Sequence, residues 1–358
     1  MKIVSVVGAR PQFIKAAPVC RAIRASGSHT EILVHTGQHY DAAMSDVFFE
    51  ELGIPAPDHH LGVGSGPHGA QTGAMLAAIE RVLLDERPDL VLVYGDTNST
   101  LAGALAAVKL GIPAAHVEAG LRSFNRCMPE EINRVVADHV SSLLFCPARG
   151  AADNLAREGI TRGVHVVGDV MADALAEASE RAAGRSAVLS RLGLRPGAFL
   201  LATIHRAENT DDASRLGAVI EAFGRIPEPI VFPVHPRTRR ALAGLGNPQE
   251  RLPNVKAVEP VGYLDMIGLE KSARIILTDS GGIQKEAYWL GVPCLTLRGE
   301  TEWVETVEAG WNKVVGTDPE SIVRAVREFR PPAVRPELYG GPGASARIAA
   351  LLGSGLNI

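Results

Sequence analysis

Residues 90 to 117 read as an apolar run, a helix and a second apolar run, and that order limits the fold more than any other stretch of the chain. Leu90 to Tyr94 leads to Asp96, the helical pattern Ser99 to Leu110 follows, and Pro113 to Val117 leads to Glu118. Two strands joined through a helix run parallel. Asp96 and Glu118 are therefore predicted at the carboxyl edge of one sheet, where open α/β sheets bind their ligands. Neighbouring strands lie about 4.8 Å apart, close enough for two carboxyl groups to share the taking and giving of a proton. The spacing also allows the plainer reading that both acids only cap the segments after them. Pro129-Glu130-Glu131 comes next, a proline and two acids suited to a helix start.

The same alternation extends through the first half: Ile3 to Val7, Glu31 to His35, Leu143 to Cys146 and Val164 to Val167 complete a set of strands separated by helical patterns. This predicts an α/β fold with a doubly wound parallel sheet. A Gly-rich stretch, residues 61 to 73, reads as a loop and makes only a weak dinucleotide fingerprint, because no apolar strand leads into it and no acid closes the unit. After Gly168 an Ala- and Leu-rich helical segment ends in Arg195-Pro196-Gly197. A second set of strands follows: Phe199 to Thr203, Ile230 to Val234, Val255 to Val258, Ile275 to Thr278, Cys294 to Leu297 and Lys313 to Val315. The division expected is 1–168 for a first Rossmann-like domain carrying the acids and 169–198 for a crossover. Residues 199–338 make a second Rossmann-like domain, and 339–358 a tail helix packing back on the first. Two similar halves sharing a ligand in a central cleft is the simplest architecture.

At 358 residues the chain exceeds a single core, and 46% hydrophobic content supplies two. A formal charge of −4 gives no footprint for nucleic acid or an anionic membrane. The first residues hold an apolar run too short to span a bilayer and no signal-peptide pattern. Cys20, Cys127, Cys146 and Cys294 are scattered, without CxxC pairs, so neither zinc nor a disulfide framework is indicated and a reducing cytoplasm fits. The pair His59-His60 lacks partners at ligand spacing, so no metal is expected.

Gly8-Ala9-Arg10-Pro11 to Lys15 joins the first strand to its helix. A helix start with two cations suits a phosphate, although Arg10 and Lys15 as ordinary solvated residues remain the alternative. Thr278-Asp279-Ser280-Gly281-Gly282 is the matching element of the second half: a Ser hydroxyl and free N–H groups suited to a diphosphate, with glycines that allow close approach. Glu286, one turn on, is placed to accept from ribose hydroxyls. His205, after the strand ending at Thr203, can offer a proton or a hydrogen bond. His235 sits between two prolines, where its role can be conformational.

The stretches GARPQFIKAAP, TGQHYD, YGDTNSTLAG, HVEAGLRS, MPEEINR, TIHRAEN, VHPRT, TDSGGIQKEA and YGGPGASARI together resemble the non-hydrolysing UDP-N-acetylglucosamine 2-epimerases over nearly the whole chain. The resemblance implies a GT-B fold, usually a homodimer, a UDP-sugar substrate and no cofactor. It also implies a reaction in which the proton at sugar carbon 2 is removed, UDP leaves carbon 1 to give a 2-acetamidoglucal, and both return on the inverted face. Carried over residue by residue, Arg10, Lys15, His205, Ser280, Gly281, Gly282 and Glu286 match nucleotide-binding positions, with Arg298 and Arg134 among the substrate contacts. Asp96, Glu118 and Glu130 match the acids of proton transfer and elimination, and His205 is counted with the catalytic set.

Three departures stand out. Many bacterial members carry Thr-Glu-Arg-Pro where this chain has Thr301-Glu302-Trp303-Val304, so Trp303 replaces a substrate-contacting cation. Their Gln-His-Arg-x-Met becomes Gln38-His39-Tyr40-Asp41-Ala42, and their His-Arg-Arg-Glu becomes His205-Arg206-Ala207-Glu208. The last two fall on segments that hold an activating second UDP-GlcNAc in regulated members. TEWVE with VGYLDM and SGGIQKEA looks more like the branch acting on UDP-2,3-diacetamido-2,3-dideoxy-glucuronate in O-antigen synthesis; UDP-GlcNAc itself is the alternative substrate. A retaining GT-B glycosyltransferase shares the architecture but needs an acceptor and not three acids near carbon 2. A nucleotide-sugar sensor has no use for those acids.

Overall fold

The computed structural model describes residues 1–38, 53–185 and 187–353. The chain divides into two compact units, Met1–Ala176 with Tyr339–Ile358, and Glu177–Leu338. Each is built on a parallel sheet.

In the first unit the strands are β1 (Lys2–Val7), β2 (Thr30–His35), β3 (His59–His60), β4 (Leu90–Tyr94), β5 (Ala114–Val117), β6 (Leu143–Cys146) and β7 (Val164–Val166). Their order is β3-β2-β1-β4-β5-β6-β7. The chain winds outward from β1 to one edge, returns, and winds from β4 to the other, so a crevice opens at the carboxyl ends of β1 and β4. The helices here include α1 (Arg10–Ala25), α2 (His68–Glu86), α3 (Asn98–Lys109), α4 (Pro129–Val140), α5 (Arg149–Arg157) and α6 (Val170–Arg185), which runs on into the second unit. Val4, Val6, Val34, Val91 and Val93 pack with Met75, Ile79 and the Ala-rich face of α3 into one apolar cluster. Small residues let α3 lie close: a Cβ on Gly103 would stand 2.9 Å from Val93 Cγ1.

The predicted loop at residues 61–73 differs. β3 precedes it and α2 begins at His68, so its later glycines are helical. A two-residue His-His strand shows no alternation by which to find it. Its pairing comes from β2, with Val34 opposite His59 and His35 opposite His60, and the His35 and His60 rings stack at 4.5 Å. His59 Nε2 is taken by Glu86 at 2.8 Å. Near the carboxyl end, the helix Ala344–Gly353 belongs to this unit. Ser345 N donates to Asp173 Oδ2 at 2.7 Å, and Arg347 Nε to the Val167 carbonyl at 2.6 Å.

The second unit repeats the winding with β8 (Leu200–Thr203), β9 (Ile230–Pro233), β10 (Val255–Val258), β11 (Ile275–Thr278), β12 (Cys294–Thr296) and β13 (Asn312–Val314). Their order is β10-β9-β8-β11-β12-β13. One face packs Leu200, Phe223, Phe232 and Leu277 into a cluster, and the other packs Phe199, Leu201, Val231 and Ile276. Burial on both faces explains why these strands read as continuous apolar runs. Among the described residues no helix is long and apolar enough to cross a membrane. All four cysteines are free thiols.

Candidate active site

The first unit gathers its acids where β4 and β5 end. Tyr94 pairs with Val117, so Asp96 and Glu118 follow neighbouring strands at equivalent depth. They do not face each other as bare like charges. Lys15, from α1, forms an ion pair with Glu118, and Arg134, from α4, forms one with Asp96. Gly95 lies against the Lys15–Glu118 pair at φ +62°, where a Cβ would stand 3.2 Å from Glu118 Oε2 and 3.3 Å from Lys15 Nζ. Only glycine fits that approach without strain. Glu118 itself has φ +73°. A left-handed glutamate costs on the order of 1–2 kcal/mol, and such strain concentrates at functional sites.

Arg10 opens α1, but the N–H groups before it are already engaged. Gly8 N and Ala9 N donate to Gln12 Oε1 at 2.8 and 3.1 Å, while Gln12 Nε2 donates to the Tyr94 carbonyl at 2.9 Å. Any anion at this helix start therefore relies on side-chain cations more than on those amides. Lys15, expected to meet phosphate, is shared with Glu118.

On α4 the two consecutive acids part company. Glu130 is exposed, and among the described residues it forms no ion pair. Glu131 is buried; its carboxylate accepts from Ser123 N at 2.8 Å, Phe124 N at 3.0 Å and Arg134 Nη1 at 3.1 Å. Arg134 thus joins Glu131 to Asp96. Asn133 Nδ2 donates to the Asp96 carbonyl at 3.0 Å. Asn133 and Glu131 were not singled out from the sequence, although their i, i+3 relation to Glu130 and Arg134 places them on the same helix turn.

In the second unit Ser280 caps the helix α12 (Gly281–Leu290), its hydroxyl accepting from Ile283 N at 3.4 Å. Gly281 and Gly282 are the first two helical residues, with their N–H groups at the positive end of the helix. Asp279, fully buried behind the Ser-Gly-Gly turn, organises this edge. It accepts from His205 N at 3.0 and 3.1 Å, from Arg206 N at 3.0 Å and from Asn209 Nδ2 at 3.0 Å. His205 is thus fixed beside the Ser280 turn, its ring 5.6 Å from that of His235.

Glu286 is buried one turn into α12 and accepts from the Tyr263 hydroxyl at 3.3 Å. Next to it, on the helix α11 (Tyr263–Ser272), Glu270 is fully buried; burial and the neighbouring Glu286 charge push its carboxyl well above the usual range. Arg298, buried past β12, holds both oxygens of Glu302, at 3.0 and 2.8 Å, and Arg206 approaches the same carboxylate at 3.4 Å. Trp303 is anchored there too, its Nε1 donating to the Gly281 carbonyl at 2.8 Å. Lys285 Nζ sits 4.3 Å over the Trp303 ring and 5.0 Å over that of Trp289.

Two doubly wound sheets, one with paired acids at its carboxyl edge and the other with a Ser-Gly-Gly helix start at its own, define an enzyme of nucleotide-sugar type. The fold is that of the UDP-GlcNAc 2-epimerase from Methanocaldococcus jannaschii in complex with UDP-GlcNAc and UDP. That structure matches with a TM-score of 0.88 and 45% identity, covering 99% of this chain and all of that one. It is a GT-B fold. The family model described as UDP-N-acetylglucosamine 2-epimerase matches residues 21–353. A Methanococcus maripaludis protein described as a UDP-N-acetylglucosamine 2-epimerase homolog is 54% identical over 97% of each chain. The Pseudomonas aeruginosa UDP-2,3-diacetamido-2,3-dideoxy-D-glucuronate 2-epimerase is 52% identical over 98% of this chain and 99% of its own. The chain belongs to the non-hydrolysing UDP-N-acetylglucosamine 2-epimerase family, and it is an isomerase, a UDP-sugar 2-epimerase.

Proposed function

We propose that the substrate is UDP-2,3-diacetamido-2,3-dideoxy-glucuronate, converted to its manno epimer. The observation that carries this choice is the Lys285 ammonium stacked on Trp303 beside Gly281. Where many members place an arginine, this chain places an indole, and the indole holds a cation from α12 by its ring face. A glucuronate bears a carboxylate at carbon 6 that an ammonium can meet, whereas the hydroxymethyl of GlcNAc offers no charge. The 52% identity to the Pseudomonas enzyme supports the same reading. UDP-GlcNAc is the second reading, favoured by the M. maripaludis and M. jannaschii relatives.

In this proposal Ser280, Gly281 and Gly282 hold the diphosphate, Glu286 the ribose, and Arg10, His205 and Arg298 the remaining charge. A carboxylate of the Asp96, Glu118 and Glu130 set takes the proton from carbon 2. The C–H electrons form the C1=C2 double bond as the C1–O bond breaks and its electrons leave with UDP. Re-addition of UDP to carbon 1 and of a proton to the other face of carbon 2 completes the inversion. Lys15 and Arg134 each neutralise one acid and can take up a new partner as the sugar arrives. A homodimer working in the cytoplasm toward O-antigen-type polysaccharide completes the proposal.

The test is a side-by-side rate measurement on the two UDP-sugars in deuterated water. The diacetamido-glucuronate should turn over faster and gain deuterium at carbon 2. Faster turnover of UDP-GlcNAc would overturn the sugar assignment. Asp96→Asn and Glu118→Gln should each lower turnover at least about a hundredfold; near-normal turnover in both would leave them as caps.

A further inference from the structure

Behind the two acids lies a fully buried histidine that the reaction does not use. His116 occupies the third position of β5, opposite Val93, two residues before Glu118. Its Nδ1 lies 2.7 Å from Asp138 Oδ1 on α4, and its Nε2 lies 2.6 Å from the Gly95 carbonyl. A carbonyl oxygen only accepts, so Nε2 carries a hydrogen. Burial opposes a charge on Asp138, but His116 and the Arg122 guanidinium, whose Nη1 donates to the other carboxyl oxygen at 2.6 Å beside Gly120 N at 3.0 Å, hold that carboxyl below its ordinary range, so Asp138 is a carboxylate. It too can only accept, so Nδ1 also carries a hydrogen. A neutral imidazole has one donor and one acceptor, whereas two acceptors require the imidazolium.

What that ring joins matters more than its charge. Gly95 immediately precedes Asp96, and its N–H donates to the Val117 carbonyl at 3.0 Å while its carbonyl takes His116. On the other side, Asp138 grips His116 and Gly120, the residues two before and two after Glu118. Both acid-bearing turns, including the left-handed Glu118, are therefore tied to one Asp138–His116–Gly95 chain. We propose that His116 is held as a buried imidazolium and is the positioning residue for both Asp96 and Glu118. The proposal rests on the acid roles assigned above. The other ionisable groups around it are Arg122, bonded to Asp138, Lys15, paired with Glu118, and the Cys146 thiol on β6. Burial alone would discharge the ring, but Asp138 and the Gly95 carbonyl together raise it above the ordinary histidine range.

The experiment uses the full chain with ring-labelled histidine. At a pH of about 8, where ordinary histidines are neutral, one ring should keep both nitrogens protonated by NMR, and that signal should vanish in His116→Gln. A His116 ring that has lost a proton by then would overturn the proposal. His116→Gln can donate to Asp138 or to Gly95 but not to both, so kcat should fall at least about tenfold with KM near normal, as for a misplaced catalytic group. Should that variant not fold, Asp138→Asn serves instead. Its amide can donate to Nδ1 of a neutral ring while its oxygen still accepts from Gly120 and Arg122, so the imidazolium signal should be lost and kcat reduced. A folded variant of either kind with unchanged kcat would overturn the positioning role. Normal turnover in Asp96→Asn and Glu118→Gln is a separate failure: it removes the acid assignment and leaves the NMR result standing.

Discussion

Asp279 accepts the His205 backbone N–H through both carboxylate oxygens, at 3.0 and 3.1 Å, and so fixes one strand end of the second unit against another. The carboxylate also holds Arg206 N and Asn209 Nδ2. Replacing Asp279 by alanine leaves the buried Asn209 amide and two half-buried backbone donors without that acceptor, at about 1–3 kcal/mol for each buried group. We expect a loss of at least about 3 kcal/mol in denaturant unfolding, with weaker UDP binding in calorimetry. Unaltered UDP affinity would show that His205 keeps its place without this tie.

Gly95 tests the packing of the first unit in the same way. Its φ of +62° strains any side chain, and a Cβ 3.2 Å from Glu118 Oε2 would make that carboxylate and Lys15 give way. Gly95→Ala should lose about 1–2 kcal/mol of stability from the backbone alone, and the displaced Lys15–Glu118 pair should lower kcat more than it raises KM. Kinetics at saturating sugar distinguish the two effects.

Glu130 and Glu131 make a matched pair for mutation because they are neighbours with opposite environments. Glu131→Gln weakens a buried carboxylate that accepts from Ser123, Phe124 and Arg134, so it should destabilise by about 1–3 kcal/mol. Glu130→Gln lies at an exposed position and should leave the melting temperature unchanged while reducing turnover. A Glu130→Gln enzyme as active as the parent would remove Glu130 from the acid set.

How much of this was legible in the sequence follows from what each signal depends on. The strands surfaced because burial on both faces makes them apolar, and the helix read at Ser99 to Leu110 runs from Asn98 to Lys109, set by the Thr97 hydroxyl accepting from Thr100 N. β3 was invisible because its two histidines owe their strand to β2. Asp96, Glu118 and the Ser280 turn were visible as residues at strand ends. The pairing of Lys15 and Arg134 with those acids was not, since nothing local says that Lys15 reaches a residue 103 positions away. Asp138 and His116 were likewise hidden, because a buried acid on α4 looks like any other polar residue of that helix until β5 is packed beneath it.

The His116–Asp138 pair predicts a pH dependence whose sign is fixed by its charges. Burial opposes the imidazolium, yet Asp138 and Gly95 raise it above its ordinary value of about 6.5. Its stabilisation is thus complete below about 6.5 and is lost as pH rises through the raised folded value. Burial likewise opposes the Asp138 charge, but His116 and Arg122 hold that carboxyl below its ordinary value of about 3.9. That part is present above about 3.9 and is lost as pH falls through the lowered folded value. The melting-temperature gap between the parent and His116→Gln should be widest between these limits and should shrink on the alkaline side. A gap that grows with rising pH would mean a neutral ring.

The departures at Asp41 and Ala207 bear on activation. In regulated members a second UDP-GlcNAc beside the active site biases the active state, which requires contacts made better in that state. Two of the segments involved depart here. Asp41 lies outside the described residues, and Ala207 is an exposed methyl opening the short helix Ala207–Thr210. An acid repels a diphosphate and a methyl donates nothing to it. Arg206, the cation that remains next to Ala207, already approaches Glu302 at 3.4 Å. The enzyme should therefore epimerise its substrate from either epimer with hyperbolic kinetics and no added UDP-GlcNAc. Initial rates in both directions, with and without UDP-GlcNAc, decide the matter. Sigmoidal curves, or a reverse reaction silent until UDP-GlcNAc is supplied, would show that other residues keep the second site; in that case Ala207→Arg should leave the activation constant unchanged, whereas in an enzyme lacking the site it has nothing to restore unless Asp41 is replaced as well.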